Sequence, residues 1–344
     1  MMKALVLENY NQFLYKDVPD PEISADEVLI RVKACGICGS DVHGMDGSTG
    51  RRIPPLIMGH EASGVIEKAG KNVRSWNTGD RVTFDSTVYP LNDWFTLEGS
   101  YNLSDNREVI GVSPGNYRRN GAFAEFVAVP QHILYRIPDN VTFEQAAMVE
   151  PVAVALHAVN LSQLKLGESC VIIGAGTIGG FIVQLLRLAG VMQLIVVDMN
   201  EANLERARKL GADIMFHPSD GKIIDRVRQV THSRGADLAF EAVGNSSTVN
   251  MSIDLVRKGG RVVLVGNLSP VIEFPLQKVV TQELKIYGSC AIRGEYATVL
   301  ELMEKKKINT DQQISAVVPL SEGAMWFDRL RRNTEGLNKV ILVP

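Results

Sequence analysis

Cysteine is scarce, with 4 in 344 residues, at Cys35, Cys38, Cys170 and Cys290. That is too few for a disulfide framework in a chain this long, so the sulfurs are expected as thiols or metal ligands. A surplus of positive charge is also missing. Lys+Arg 36 against Asp+Glu 39 gives a formal net charge of -3, which leaves no basic excess to grip a phosphate backbone and excludes nucleic acid as the expected partner. No run of about 18 apolar residues is free of charges and glycines. The start, Met1-Met2-Lys3-Ala4-Leu5-Val6, passes into alternation instead of a long apolar signal core. No membrane partner and a cytoplasmic location are therefore expected. Internal repeats and low-complexity linkers are absent as well.

What is present is the composition of a globular enzyme, 45% hydrophobic and 22% charged, at a length beyond one ordinary core. Two domains are expected. Short apolar runs separated by glycines, at Lys3 to Leu7, Glu27 to Lys33, Ala62 to Glu67, Asp80 to Phe84 and Ala122 to Val129, predict a β-rich first part. From Glu144 the texture turns helical, and from Ser169 to Gly288 apolar strands alternate with amphipathic segments, which predicts a parallel sheet with crossover helices. The strands are expected at Cys170 to Ile173, Leu194 to Asp198, Asp213 to Phe216, Asp237 to Glu241, Arg261 to Val265 and Leu284 to Tyr287. A helix around Glu295 to Lys306 and a strand, Lys339 to Val343, complete the pattern.

The most specific local signal is Gly174-Ala175-Gly176-Thr177-Ile178-Gly179, between the strand Val171-Ile172-Ile173 and the helix Phe181 to Ala189. Gly174 permits a tight turn, Gly176 lets the backbone approach a pyrophosphate, and Gly179 lets helix and strand pack closely. The next strand ends in Asp198, about 20 residues beyond the glycines, where a carboxylate accepts from ribose hydroxyls and repels a 2′-phosphate. NAD is thus expected over NADP. A glycine-rich turn without a ligand is the bland alternative, and the acid at the strand end weighs against it.

A second constellation concerns metal. Cys35 and Cys38 look like half of a zinc knuckle, yet no second pair follows, which excludes a closed four-cysteine site. A mixed site of Cys38, His60, Glu61 and Glu150 fits better, because a thiolate, an imidazole and carboxylates suit zinc. Cys35, Cys170 and Cys290 are read as apolar filler.

At these residues the sequence resembles the zinc-containing medium-chain dehydrogenases, along essentially its whole length. The matching blocks are Gly36 to His43, Gly59-His60-Glu61, Gly79-Asp80-Arg81-Val82, Gly121 to Phe126, the glycine turn with Asp198, and Phe240-Glu241-Ala242-Val243-Gly244. Glu150, in Glu150-Pro151-Val152-Ala153, is similar to the sorbitol-type polyol dehydrogenases, in which Glu61 is a further ligand candidate. The resemblance implies a GroES-like catalytic domain at 1–150 and 289–344 and a doubly wound Rossmann NAD-binding domain at 151–288, an α/β architecture. It implies cofactor contacts at Gly174, Gly176, Thr177, Ile178, Gly179, Asp198, Val243, Val265 and Gly266. It also implies a homodimer or homotetramer, with the Val279 to Cys290 strand as the exposed edge.

One departure from the family is informative. Many members hold a second, structural zinc with four cysteines in a lobe recognisable here from Tyr89 to Val112, but the four positions are Pro90, Asp93, Thr96 and Ser104. These are absent or poor soft-metal donors. One catalytic zinc and no structural zinc are expected, with Trp94, Phe95 and Tyr101 packing the lobe instead. Asn203 stands where the family often has Lys or Arg near the adenosine ribose.

The implied chemistry is hydride transfer between a secondary alcohol and NAD. Zinc on Cys38, His60 and an acid would acidify the substrate hydroxyl, and Ser40 and His43, two and five residues after Cys38, match the family's proton relay. Glu61 is open between ligand and orienting acid. An acid-rich site suits a polyol or sugar substrate, whose neighbouring hydroxyls can chelate the metal. The rivals are a threonine 3-dehydrogenase-like enzyme, which shares the Cys38, Ser40, His43 and His60-Glu61 pattern, and a zinc-free NADPH quinone reductase, which the ligand set and Asp198 oppose. A non-catalytic binding protein is opposed by the complete relay. Arg118 and Arg119 are read as surface residues and not as a phosphate site.

Overall fold

The computed structural model describes residues 1–344, and no helix in it is long and apolar enough to cross a membrane. The chain divides into two compact units, one of Met1–Glu150, Ile292–Lys306 and Thr310–Pro344, the other of Pro151–Ala291 with Lys307–Asn309. The excursion at 307–309 has a local cause. Gln184 exchanges hydrogen bonds with the Asn309 backbone, donating to its carbonyl at 3.1 Å and accepting from its N–H at 2.7 Å.

The first unit is built on a sheet of seven strands. Its path runs Leu134–Arg136, Arg81–Phe84, Glu61–Ala69, Glu27–Gly36, Lys339–Val343, Ile314–Pro319, with Phe126–Pro130 also pairing Glu27–Gly36. Glu27–Gly36 alternates less buried and buried residues as far as Ala34, as a half-buried strand does, and ends fully buried; Val28, Ile30, Val32 and Cys35 enter the core. Burying each such side chain contributes about 1.5–3 kcal/mol. A smaller sheet, Gln12–Val18, Met2–Asn9 and Leu56–Ile57, packs into the same core through Leu5 and Leu7. Where a strand was expected from Ala122, regular pairing begins only at Phe126. Ala122 and Phe123 instead donate to the carbonyls of Gly59 and Met58, at 2.9 Å each.

The second unit is a six-stranded parallel sheet in the order Ile214–Phe216, Gln193–Val197, Ser169–Ile173, Ala236–Glu241, Val256–Leu264, Lys285–Gly288. The strand order reverses direction between Ser169–Ile173 and Ala236–Glu241, and such a switch point is where open α/β sheets bind ligands beyond their carboxyl ends. The all-apolar runs Val171-Ile172-Ile173 and Leu194-Ile195-Val196-Val197 are buried, as expected for strands covered on both faces.

Candidate active site

In the first unit, three neighbouring strands bring the acid-rich cluster together. Glu27–Gly36 runs antiparallel to Glu61–Ala69 with Gly36 opposite Glu61, and antiparallel to Lys339–Val343 with Gly36 opposite Ile341. Cys38 follows the first strand and leads into the short helix Gly39–Gly44, which carries Ser40, Asp41 and His43. One ligand atom each from Cys38, His60 and Glu61 lies within 4.8 Å of the others. Glu150 sits in the first turn of the helix Val149–Leu161 and accepts from Ser86 Oγ at 3.2 Å.

Burial governs the electrostatics. It pushes the Cys38 thiol up to about 12, reinforced by the Glu61 and Asp41 charges and opposed by Lys339. Burial likewise pushes Glu150 up to about 8; His60 lowers it, Glu61 and Cys38 raise it, and Lys339 lowers it. A thiol and a carboxyl that resist ionisation, Cys38 and Glu150, are donors that a divalent cation would ionise. His60 adds a second sign of fit. Its buried Nδ1 has no hydrogen-bond partner and faces Asp41 Oδ2 at 3.7 Å, also unpaired. A ligating imidazole commonly turns its other nitrogen toward such a carboxylate. The residues therefore suit zinc.

Four partners of this cluster were not singled out from the sequence. Arg52 is buried with Asp41, binds its Oδ1 at 2.8 Å, and donates to Ser40 Oγ at 3.2 Å. Ser40 in turn donates to Cys38 Sγ at 3.2 Å. Lys339 Nζ binds both oxygens of Glu61, at 2.7 and 2.5 Å, and the Ile37 carbonyl at 3.1 Å. Burial alone would lower the Lys339 pKa, yet the Glu61 and Cys38 charges outweigh it and raise it. Ser86 is the fourth. His43 is exposed at the end of its helix, and the structure shows no direct hydrogen bond between it and Ser40.

The lobe at 89–112 is held by polar contacts. Asp93 caps the helix Trp94–Leu97 by accepting from Thr96 N–H at 2.8 Å, and Ser104 Oγ donates to its other oxygen. Tyr101 stacks on Tyr89 at 4.2 Å, donates to Asp85 at 2.6 Å and accepts from Gly294 N–H at 2.7 Å. Trp94 does not pack the lobe as expected. It is 68% exposed and touches Phe95 edge-on, because its helix lies on the surface with no buried residue. Arg119 is neutralised by Glu27 and Glu108, and Arg118 donates to the Pro55 carbonyl.

In the second unit, Gly174 turns at φ +89 after Ser169–Ile173, and the helix Thr177–Leu188 opens with Gly176 as N-cap and no side-chain cap. A Cβ on Gly176 would meet nothing within 4 Å, whereas one on Gly179 would stand 1.9 Å from the Gly174 carbonyl oxygen. The open approach at one glycine and close packing at the other are what a pyrophosphate on a helix N-terminus needs. Asp198 follows Gln193–Val197 and accepts from the N–H groups of Ala175 at 2.6 Å and Asn200 at 2.7 Å. Asn203 donates to it at 3.3 Å. Val243, Val265 and Gly266 sit beyond the adjoining strands, where buried Glu241 ties the turn by accepting from Val243 and Gly244 N–H. Its backbone carbonyl takes the N–H groups of Val265 and Gly266. Only the block around Glu241, and not this bridging role, was visible in the sequence.

Comparison with known proteins adds an independent line. Residues 24–139 match the alcohol dehydrogenase GroES-like domain, and residues 177–305 match the zinc-binding dehydrogenase domain. The chain is 30% identical over 348 aligned positions to sorbitol dehydrogenase of Bacillus subtilis, covering 100% of this chain and 97% of that one. It is 33% identical to D-xylulose reductase of Saccharomyces cerevisiae, covering 89% and 88%. Among solved structures, a Sinorhizobium meliloti protein described as a putative zinc-binding dehydrogenase bound to NADP superposes with a TM-score of 0.91 at 32% identity, covering 100% and 99%.

Proposed function

The chain belongs to the zinc-containing medium-chain dehydrogenases, and from that premise we propose that it oxidises a secondary hydroxyl of a polyol or sugar alcohol with NAD. The observation that carries this reading is the cluster of half-buried Cys38 with buried His60 and Glu61, on the same compact unit as buried Glu150. We assign that unit to catalysis and the parallel-sheet unit to the nucleotide.

Zinc would be held by Cys38, His60 and Glu150, once per chain; when bound it supplies a Lewis acid that lowers the pKa of the substrate hydroxyl. NAD supplies the hydride acceptor. Asp41 orients His60, Ser86 orients Glu150, and Arg52 holds Ser40 beside the thiolate. Ser40 would take the hydroxyl proton, and His43, exposed to water, would hold it on the solvent side and release it there. In the lobe, Asp93 and Ser104 are hydrogen-bonded to each other and Pro90 offers no donor, which supports one metal per chain. Asp198 favours NAD by charge, since a 2′-phosphate would meet a carboxylate already shared among backbone donors. Polyhydroxylated substrates are supported by the acidic cluster and by the named activities of the relatives.

The outer strand Lys285–Gly288, flanked by exposed Val271, Leu276 and Val280, supports assembly of the nucleotide units of two chains edge to edge. Metal analysis with a panel of polyols, threonine and sugar phosphates tests the proposal. One zinc per chain and NAD-linked polyol turnover are expected. Turnover of threonine alone, or full activity without zinc, would refute it, and a monomer at micromolar concentration would refute the assembly.

A further inference from the structure

Glu241 closes the strand Ala236–Glu241 with its side chain 0% exposed. One carboxylate oxygen accepts from the Val243 and Gly244 N–H groups, at 2.9 and 2.8 Å, and the other has no hydrogen-bond partner. The acid forms no ion pair, so peptide dipoles alone meet its charge. A buried carboxylate without a cation is costly. An amide of the same shape would accept the same two N–H bonds, so the turn itself does not require the charge that the chain keeps here.

Strand register shows what that charge would face. Ile173, the last residue before the glycine turn, pairs with Val197 on one side and with Glu241 on the other. Asp198 and Glu241 therefore stand on opposite sides of the turn that would take the pyrophosphate. With the adenosine ribose at Asp198, the second nucleoside extends over the ends of Ala236–Glu241 and Val256–Leu264. Neighbouring strands are about 4.8 Å apart, which puts a ring over those two strands within roughly 10 Å of the carboxylate. The backbone around the acid is locked. A Cβ on Gly244 would stand 2.3 Å from the Asn267 nitrogen, and one on Gly266 would stand 2.3 Å from the Gly244 nitrogen, so the two turns pack backbone against backbone. An oxidised nicotinamide ring carries a positive charge and a reduced one carries none, and only the first supplies the cation that Glu241 lacks.

Resting on the NAD reading above, we propose that Glu241 determines the site's preference for the redox state of the nucleotide: its buried charge favours the cationic, oxidised ring over the neutral, reduced one. At an effective dielectric near 20, a full charge at about 10 Å changes binding by about tenfold. The reduced nucleotide formed by alcohol oxidation competes for the same site, so this charge keeps the site available to the oxidised form.

The test is binding of NAD and NADH to the full-length protein without substrate, with NADH followed by its fluorescence and NAD by displacement of NADH. E241Q keeps an oxygen for both N–H groups and removes the charge. Its Kd for NAD should rise about tenfold while its Kd for NADH stays within about twofold of wild type. E241D keeps the charge and should keep the wild-type ratio of the two Kd values. An unchanged ratio in E241Q would overturn the proposal, including the case in which both nucleotides weaken equally, the mark of a purely structural tie. Should E241Q fail to fold, E241D decides: a wild-type ratio supports the proposal, and a ratio moved about tenfold toward NADH overturns it. A wild-type chain that binds neither nucleotide overturns the NAD reading as well, whereas one that binds both with an unchanged E241Q ratio overturns this one alone.

Discussion

Asp85 should make the protein less stable as pH rises from acid to neutral, and replacing it with Asn should remove that loss. Its carboxyl is buried and accepts from Tyr101 and from the Thr87 N–H, while Glu295 adds a like charge. Burial pushes its pKa up from 3.8 to about 6, against the downward pull of Tyr101 and Thr87. An acid whose folded pKa is raised binds more protons folded than unfolded between those values. Stability therefore falls as pH climbs through the window and levels off above it. A shift of this size corresponds to about 3 kcal/mol in full, of which roughly half falls between pH 5 and 8.

Asp85→Asn cannot ionise, so its stability relative to wild type should improve by roughly 1–2 kcal/mol from pH 5 to 8. The offset at any single pH also includes the changed hydrogen bond to Tyr101, so only the difference across pH is diagnostic. Urea unfolding of both zinc-loaded proteins at several pH values measures it, following the transition of the unit that contains Asp85. A difference that stays constant across the range would show that Asp85 is ionised throughout. A relative stability of Asp85→Asn that falls as pH rises below about pH 5 would show that Tyr101 and Thr87 overcome burial and hold the acid charged.

Asp198→Ala should narrow the gap between NAD and NADP by about 10²-fold in kcat/KM, since the like charge against the 2′-phosphate is removed; an unchanged ratio would refute its role in selection. His43→Ala should keep zinc and NAD binding but slow polyol oxidation by about 10²-fold near neutrality, less at high pH where hydroxide takes the proton. Equal kcat for the two proteins at every pH would remove His43 from the relay. Arg52→Met leaves Asp41 buried without its partner, and breaking such a pair costs about 3–5 kcal/mol. Its urea midpoint should fall while Arg52→Lys recovers part of the loss, and a midpoint equal to wild type would show that the pair carries no stability.

The nucleotide fold was legible because its signals are local. The glycine turn, the helix after it and the acid closing the next strand all lie between Ser169 and Asp198, and each rests on a steric or electrostatic demand of its own sequence neighbourhood. Gly179 shows how direct that link is, since any side chain there would collide with the Gly174 carbonyl. The strands Gln12–Val18 and Ile314–Pro319 were not anticipated, and neither was the helix Gly323–Arg332. The burial of Gln12–Val18 shows why. Polar residues at both alternating phases leave most of it exposed or half-exposed, and it is a strand because it pairs with Met2–Asn9.

The candidate site divides along the same line. Cys38, Ser40 and His43 share one short stretch, and His60 and Glu61 are adjacent, so spacing alone could point to them. Their partners come from far along the chain: Glu61 and Lys339 are 278 positions apart, and Ser86 and Glu150 are 64 apart. In sequence, Lys339 is only a cation at the start of the apolar run Val340-Ile341-Leu342-Val343, a usual solvent-side pattern for a strand end. Here that first position faces inward. The register sets the strand against Glu27–Gly36, and an ammonium carried there needs a buried anion within reach. Glu61 meets that need only because Gly36 clears the path between them. A lysine forced inward at a strand end, a glycine in the neighbouring strand and an acid in the strand beyond thus form one unit, whose parts acquire meaning only once strand order is known.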